Sequence, residues 1–179
     1  MRKIIFIGTL HGGITSKHEL KELLERYSPN QVLVEVTEED LDMNKLESYP
    51  EEMQFAVGWA RDNRIKVNGF DSSIEVTKGG FTDEDNKKLM KNQIELLSEK
   101  NRDWKDLNKP ENLEMLDNDA RTSLEPFVDF EKELEREHEM LFNINKKAIK
   151  EGVIVVITGA GHLNFFEKNF SDAEFPLRK

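Results

Sequence analysis

Three short apolar runs stand out against an otherwise polar chain. They span residues 3–8 (KIIFIG), 31–36 (QVLVEV) and 153–159 (VIVVITG), and a weaker run at 65–70 leads into Asp71. Apolar positions in the three strong runs are continuous and rich in β-branched residues, which is typical of strands whose two faces are both covered in a parallel sheet. The pattern therefore predicts four buried strands, of which that at 65–70 is the weakest.

Segments with helical periodicity separate the first strands. Ser16 and Glu19 have the spacing of a capping box and precede leucines that recur at helical intervals. Pro50 stands where a second helix can begin. The resulting β-α-β-α-β order predicts right-handed crossovers and an α/β fold with a mainly parallel central sheet flanked by helices.

A charged stretch at about 82–150 interrupts this alternation. Thr82 can cap one helix, Pro110 can begin a short one, and residues 129–150 predict a long one. The apolar face expected for the long helix comprises Phe130, Leu134, Leu141, Ile144 and Ala148. We interpret the stretch as a helical insertion between the third and last core strands of a single domain, residues 1–179.

The composition limits the classes of function. Among 179 residues, 26 Lys and Arg face 36 Asp and Glu, for a formal net charge of −10, and residues 82–151 carry −6 of it. This excess of acidic over basic residues argues against nucleic-acid binding, because contacts to phosphates need a basic surface. No apolar stretch approaches the roughly 20 residues of a membrane helix, and no signal sequence is evident, so a cytoplasmic protein is expected. The absence of cysteine excludes thiolate metal sites and cysteine nucleophiles.

Candidate chemistry lies at the ends of the predicted strands. The first strand leads into His11 and the last into His162, each as the fourth residue of a G-x-x-H motif, while Glu35 and Asp71 stand at the ends of the other two. Ligands of open parallel sheets bind outside the carboxyl ends of the strands. We therefore expect these four side chains to converge on one edge of the sheet.

Two kinds of chemistry suit this set of residues. Imidazole and carboxylate groups can bind Zn²⁺, Mn²⁺ or Co²⁺, and a water at an open position would then become a nucleophile. Without a metal, a histidine oriented by a carboxylate can act as a general base.

Structural explanations compete with these functional ones. Glu35 can serve in a structural ion pair because its neighbours are apolar, and Asp71 can simply form a turn. The glycine-rich residues 8–13 lack the ending of a Walker motif, so nucleotide binding is disfavoured. His138, near the apolar face of the long helix, is expected in the core.

The paired motifs resemble the TraB/PrgY family, which is related to the Tiki proteases, to GumN and more distantly to erythromycin-esterase and ChaN-like proteins. The matching segments are 8–11 (GTLH), 32–35 (VLVE) and 158–163 (TGAGHL), and residues 134–140 look like the family's E-R-(D/E)-x-x-Met helix. The resemblance implies a parallel-sheet fold with a helical insertion and a site that includes Arg136. It further implies metal-dependent peptidase activity or inhibition of a peptide pheromone.

The sequence departs from that family at two points. Ser72 stands where an arginine is expected after Asp71, and membrane segments found in many relatives are missing. On a helical projection, Arg136 lies away from Phe130 and Leu134, so it reaches the site only if the helix is buried on two sides.

The leading hypothesis is a metal-assisted, peptidase-like hydrolase. His11, Glu35, His162 and Asp71 would be the metal ligands, and His11, Glu35, His162 and Arg136 would form the catalytic set, acting on a peptide or small molecule. A non-catalytic module that sequesters a small ligand and a metal-independent His/Glu esterase are the alternatives. An extended apolar face on the insertion helices would also be compatible with a homodimer, which the sequence does not decide.

Overall fold

The computed structural model describes most of the chain outside the insertion. The described residues are 1–80, 82, 84–85, 87–88, 91–92, 94–95, 103–114 and 124–178. The strands are β1 (Arg2–Thr9), β2 (Gln31–Val34), β3 (Lys66–Gly69) and β4 (Gly152–Gly159). The helices are α1 (Lys17–Tyr27), α2 (Glu38–Asp42), α3 (Glu51–Asp62), α4 (Phe130–Lys147) and α5 (Leu163–Asn169), with 3₁₀ turns at Asp106–Asn108, Ala160–His162 and Pro176–Arg178.

The four strands form one parallel sheet in the order β1-β4-β2-β3. The predicted α/β class and all four strand positions are confirmed. β2 ends at Val34, two residues before the predicted end, and the backbone N–H of Glu35 makes the last hydrogen bond to β4, to the carbonyl of Ile157 (3.1 Å). β4, the last strand in the chain, lies between β1 and β2.

Both faces of the sheet are covered, as the continuous apolar runs predict. Alternate residues of β1 point to opposite faces: Ile5 and Ile7 pack with α1 and α3, whereas Ile4 and Phe6 pack with α4 and α5. Ser16 caps α1 by accepting a hydrogen bond from the backbone N–H of Glu19. None of the helices in the described ranges is long and apolar enough to cross a membrane.

The long helix α4 differs from its prediction in the face that it buries. Asp129 caps it, and it ends at Lys147, three residues early. Leu134 is 50% exposed, whereas Met140 and Ile144 are fully buried. The predicted apolar face is therefore wrong for the amino-terminal half of α4, because there charged side chains face the sheet.

The described parts of the insertion outside α4 match the predicted helix starts, whereas Ile94, an apolar residue of the first predicted helix, is 43% exposed. Thr82 caps a helical turn by accepting from the N–H of Asp85, and residues 110–114 are helical with Leu113 buried. The leucines and methionine predicted farther along the first helix (89, 90, 96 and 97), and residue 116, lie outside the described residues. His138 is exposed and meets the edge of Phe165, so its predicted place in the core is wrong.

The free edge of β1 is covered from two directions. Glu174 pairs with this edge, donating to the carbonyl of Ile4 and accepting from the N–H of Phe6. Farther along, the side-chain amide of Asn108 accepts from the N–H of Gly8 (2.8 Å) and donates to its carbonyl (2.9 Å). Asn108 thus takes the place of a neighbouring strand and fixes the insertion beside the end of β1.

Replacing Asn108 with alanine is expected to lower the free energy of unfolding by about 1–3 kcal/mol, because both backbone groups of the buried Gly8 lose their partner. Chemical denaturation measures the loss. Asn145→Ala is the matched control, since the Asn145 amide is exposed and bonds only a carbonyl of its own helix. Equal losses in the two variants would contradict the bridging role of Asn108.

Candidate functional site

The two G-x-x-H motifs lie side by side because β1 and β4 are neighbours. Thr9 pairs with Gly159 at the carboxyl ends of the two strands. A Cβ atom placed on Gly159 would lie 3.6 Å from Nε2 of His11, 3.6 Å from Oε2 of Glu35 and 3.7 Å from Cδ2 of His162. The predicted convergence of these three side chains is therefore observed, and they surround the space above Gly159.

Glu35 is buried, and both of its carboxylate oxygens accept hydrogen bonds from other groups of the protein. Its Oε2 accepts from the Thr158 hydroxyl (2.7 Å) and the Gly159 N–H (2.6 Å). Its Oε1 accepts from Nη2 of Arg136 (3.0 Å) and lies 3.4 Å from Nε2 of His162. Burial alone would raise the pKa of Glu35, but the charges of His162 and Arg136 hold this pKa well below its usual value.

Arg136 reaches the site from α4 and binds three carboxylates. Its Nε and Nη2 donate to the two oxygens of Asp71, each at 2.9 Å, in a bidentate pair. Nη2 also reaches Glu35, and Nη1 donates to Glu133 (3.3 Å). Arg136 therefore faces the sheet. It lies on the side of α4 away from Leu134, as the projection predicts, but Leu134 is 50% exposed, so the expected burial of the Leu134 side is wrong.

Asp71 lies at the site as predicted, with both oxygens bound to Arg136. One of these oxygens also accepts from the N–H of Ser72, and the backbone forms no turn at Asp71. Ser72, which replaces the arginine of the family pattern, donates its hydroxyl to Glu139 of α4. The arginine that pairs with Asp71 comes from α4.

His162 is buried between carboxylates. Its Nδ1 lies 2.9 Å from Glu137, and its Nε2 lies 3.4 Å from Glu35 and 3.8 Å from Glu133. Burial lowers the pKa of His162, but the charge of Glu35 and the hydrogen bond to Glu137 outweigh burial and raise this pKa to about 10. The raised pKa favours the imidazolium form, in which Nδ1 donates to Glu137 and Nε2 lies close to Glu35.

His11 differs from His162 in its exposure and in its partner. Its side chain is 48% exposed, and its Nδ1 lies 2.6 Å from Oε1 of Glu52, which is 1% exposed. Burial lowers the pKa of His11, but the hydrogen bond to Glu52 and the charge of Glu35 raise it to a net value above 6.5. Because Nδ1 is bound to Glu52, Nε2 is the nitrogen turned toward the space above Gly159.

The loop that carries His11 is closed by Thr15. The hydroxyl of Thr15 accepts from the N–H of Leu10 and donates to its carbonyl, both at 2.8 Å. Between them Gly12 and Gly13 adopt φ values of 78° and 77°, a region that favours glycine. Residues 10–15 therefore form a tight loop that presents the His11 ring.

Three carboxylates of the site were missed from the sequence: Glu52, Glu133 and Glu137. Glu52 lies in the first turn of α3, where an acidic residue is explained by the helix dipole alone. Glu133 lies three residues before Arg136, and Glu137 lies directly after it. Both reach the site from the face of α4 that the sequence analysis did not expect to be buried. A signal was present, because Glu133, Arg136, Glu137 and Met140 recur at helical intervals.

The predicted metal ligands are engaged with other groups in this arrangement. Metals of the zinc type bind imidazole nitrogens and carboxylates with free lone pairs, whereas here Arg136 donates to Asp71 and Glu35, and Nδ1 of His162 is bound to Glu137. Within the described ranges no group of three or more His, Asp and Glu side chains is arranged to hold a metal ion. These residues as placed do not fit a metal centre, and metal-assisted chemistry stays a prediction.

Comparisons of the chain with models of protein families, with curated proteins and with solved structures find no match. The resemblance to the TraB/PrgY family therefore rests on the motifs in the sequence alone.

Proposed function

We propose that this protein is a hydrolase of carboxylic esters or lactones that activates water with the His11–Glu52 pair and requires no metal. The observation that supports this proposal is the 2.6 Å contact between Nδ1 of His11 and a carboxylate that is almost fully buried. Such a contact fixes the imidazole tautomer and leaves Nε2 as a base toward the space above Gly159.

The proposed reaction has two proton transfers through the same nitrogen. Nε2 of His11 takes a proton from water, and the water oxygen forms a bond to the carbonyl carbon of the ester. The tetrahedral intermediate then breaks its bond to the alkoxide, which takes the proton back from Nε2 and leaves as an alcohol. Glu52 stabilises the imidazolium in between.

This mechanism predicts how activity depends on pH. Only neutral His11 accepts a proton, so hydrolysis falls as the pH drops through the raised pKa of His11, with a midpoint above 6.5. Replacing Glu52 with glutamine keeps a hydrogen-bond acceptor but removes its negative charge, so the midpoint moves to lower pH and the plateau rate falls. The pH dependence of kcat/KM, measured on aryl esters and lactones in the presence of a chelator, checks both expectations.

Other outcomes favour the other hypotheses. Activity that disappears with the chelator and returns with Mn²⁺ or Zn²⁺ would support the metal-assisted peptidase and overturn the proposal. Saturable binding of ester analogues with no turnover would support the sequestering module. A rate that falls in Glu52→Gln with an unchanged midpoint would mean that Glu52 acts only on stability.

A further inference from the structure

The side of α4 that points away from the sheet carries two large apolar side chains in contact with water. Leu134 is 50% exposed and Phe142 is 62% exposed. They lie four residues before and four residues after the exposed His138, so the three side chains follow one another at intervals of about one turn. The exposed residues on this side form what we call the outer face of α4: Glu131, Leu134, His138, Phe142, Asn145 and Lys146.

The outer face is separate from the groups that hold the fold and the candidate site together. Met140 and Ile144 are fully buried on the opposite side of α4, where Arg136 and Glu137 reach the sheet edge. Single exposed apolar side chains are common on protein surfaces. Two of them on one helix face, one turn to either side of the same residue, instead make a strip that suits a second helix.

Charges of opposite sign mark the two ends of the outer face. Glu131 lies in the first turn of α4 and Lys146 in the last, seven residues before and eight residues after His138. Another α4 laid antiparallel across this face would meet the opposite charge at each end, whereas a parallel one would meet like charge. The face is therefore complementary to itself, which is the condition for an isologous contact between two copies.

The spacing of the apolar residues fits the same arrangement. A two-fold axis that passes beside His138 places Leu134 of one copy at the level of Phe142 of the other, because both lie four residues from the axis. Glu131 and Lys146 then differ in level by one residue, about 1.5 Å along the helix, which a lysine side chain spans easily. Apolar contact and charge pairing thus occur in one register.

We propose that two copies of this chain associate through the outer faces of α4, antiparallel about a two-fold axis at His138. Leu134 packs against Phe142 of the other copy, and Glu131 pairs with Lys146 of the other copy, each contact being made twice. The side of α4 that carries Arg136 stays on its own sheet. Since each copy contributes one helix, the interface is at the small end of its class, and we expect a Kd on the order of 10 µM.

Sedimentation velocity across a wide range of protein concentration around that Kd tests the association. The mass should rise from that of the monomer to twice that value and stop there, because a two-fold contact closes on itself. Phe142→Gln is expected to raise the Kd at least tenfold, and Leu134→Gln should act in the same direction. Met43→Gln is the matched control, because Met43 is 45% exposed but lies at the end of α2, and its Kd should equal that of the wild type.

Reversing the charges tests the antiparallel register. Glu131→Lys alone and Lys146→Glu alone each place like charges opposite one another at both ends, so each variant should dimerise several-fold more weakly. An equimolar mixture of the two variants has opposite charges at both ends again, and its affinity should return toward that of the wild type. Thermal melts confirm that every variant is folded.

Four outcomes would overturn the proposal. The first is a wild-type protein that stays monomeric at all concentrations, and the second is a mass that continues to rise beyond the dimer. The third is a Phe142→Gln variant that dimerises as tightly as Met43→Gln. The fourth is a mixture of the two charge variants that associates no better than either variant alone.

Discussion

Replacing Arg136 with methionine is expected to lower the free energy of unfolding by about 3–5 kcal/mol, the usual cost of removing one partner from a buried charge network. The methionine keeps much of the side-chain volume but leaves Glu35, Asp71 and Glu133 without their shared cation. Glu35 is the most affected, because it is buried and its low pKa depends in part on that charge. Denaturant unfolding followed by circular dichroism measures the loss.

Two further variants make this result interpretable. Arg26→Met on the exposed face of α1 is the matched control and should change stability by no more than about 0.5 kcal/mol. Arg136→Lys keeps a point charge without the bidentate geometry, so its loss should be intermediate. If Arg136→Met proves no more destabilising than Arg26→Met, the arginine does not hold the carboxylates together.

Replacing His11 with glutamine is expected to reduce kcat/KM for ester hydrolysis by about 10²–10⁴-fold, the usual contribution of a general base. Glutamine can still donate to Glu52 but cannot accept a proton from water. Because the His11 side chain is half exposed, the melting temperature should change little. Initial rates and thermal melts on the same preparation separate the two effects.

The control for this second result is His18→Gln, because His18 is exposed and pairs only with Glu22 on its own helix. Its activity should match that of the wild type. A His11→Gln variant that retains most of its activity would show that the water is activated by another group, and the proposed mechanism would then fail.

Strand ends were the most predictable part of the site. His11, Glu35 and His162 follow apolar runs that can only be buried strands, and parallel strands bring their carboxyl ends to one edge. The order of the strands in the sheet, in contrast, cannot be predicted from any local stretch of the sequence. The insertion of β4 between β1 and β2 makes the two G-x-x-H motifs neighbours, so the first glycine of the second motif lies beside the histidine of the first.

The helix α4 shows why the remaining residues were hard to predict. Hydrophobic periodicity identifies a buried face only where that face packs against apolar residues. In the amino-terminal half of α4 the inward face carries Glu133, Arg136 and Glu137, because it meets the charged edge of the sheet. Leu134 was assigned to the core by the same rule and is half exposed. Glu52 was missed because acidic residues are common in the first turn of any helix.

The sheet order also determines when the site can form during synthesis. β1 and β2 lie on either side of β4, so until residues 152–159 have emerged from the ribosome β1 has no partner strand and β2 can pair only with β3. A nascent chain that ends before β4 presents two unpaired apolar edges and has neither His162 nor the backbone N–H that binds Glu35. Folding must therefore wait for contacts of about 150 residues in sequence separation, which slows it and exposes the chain to aggregation.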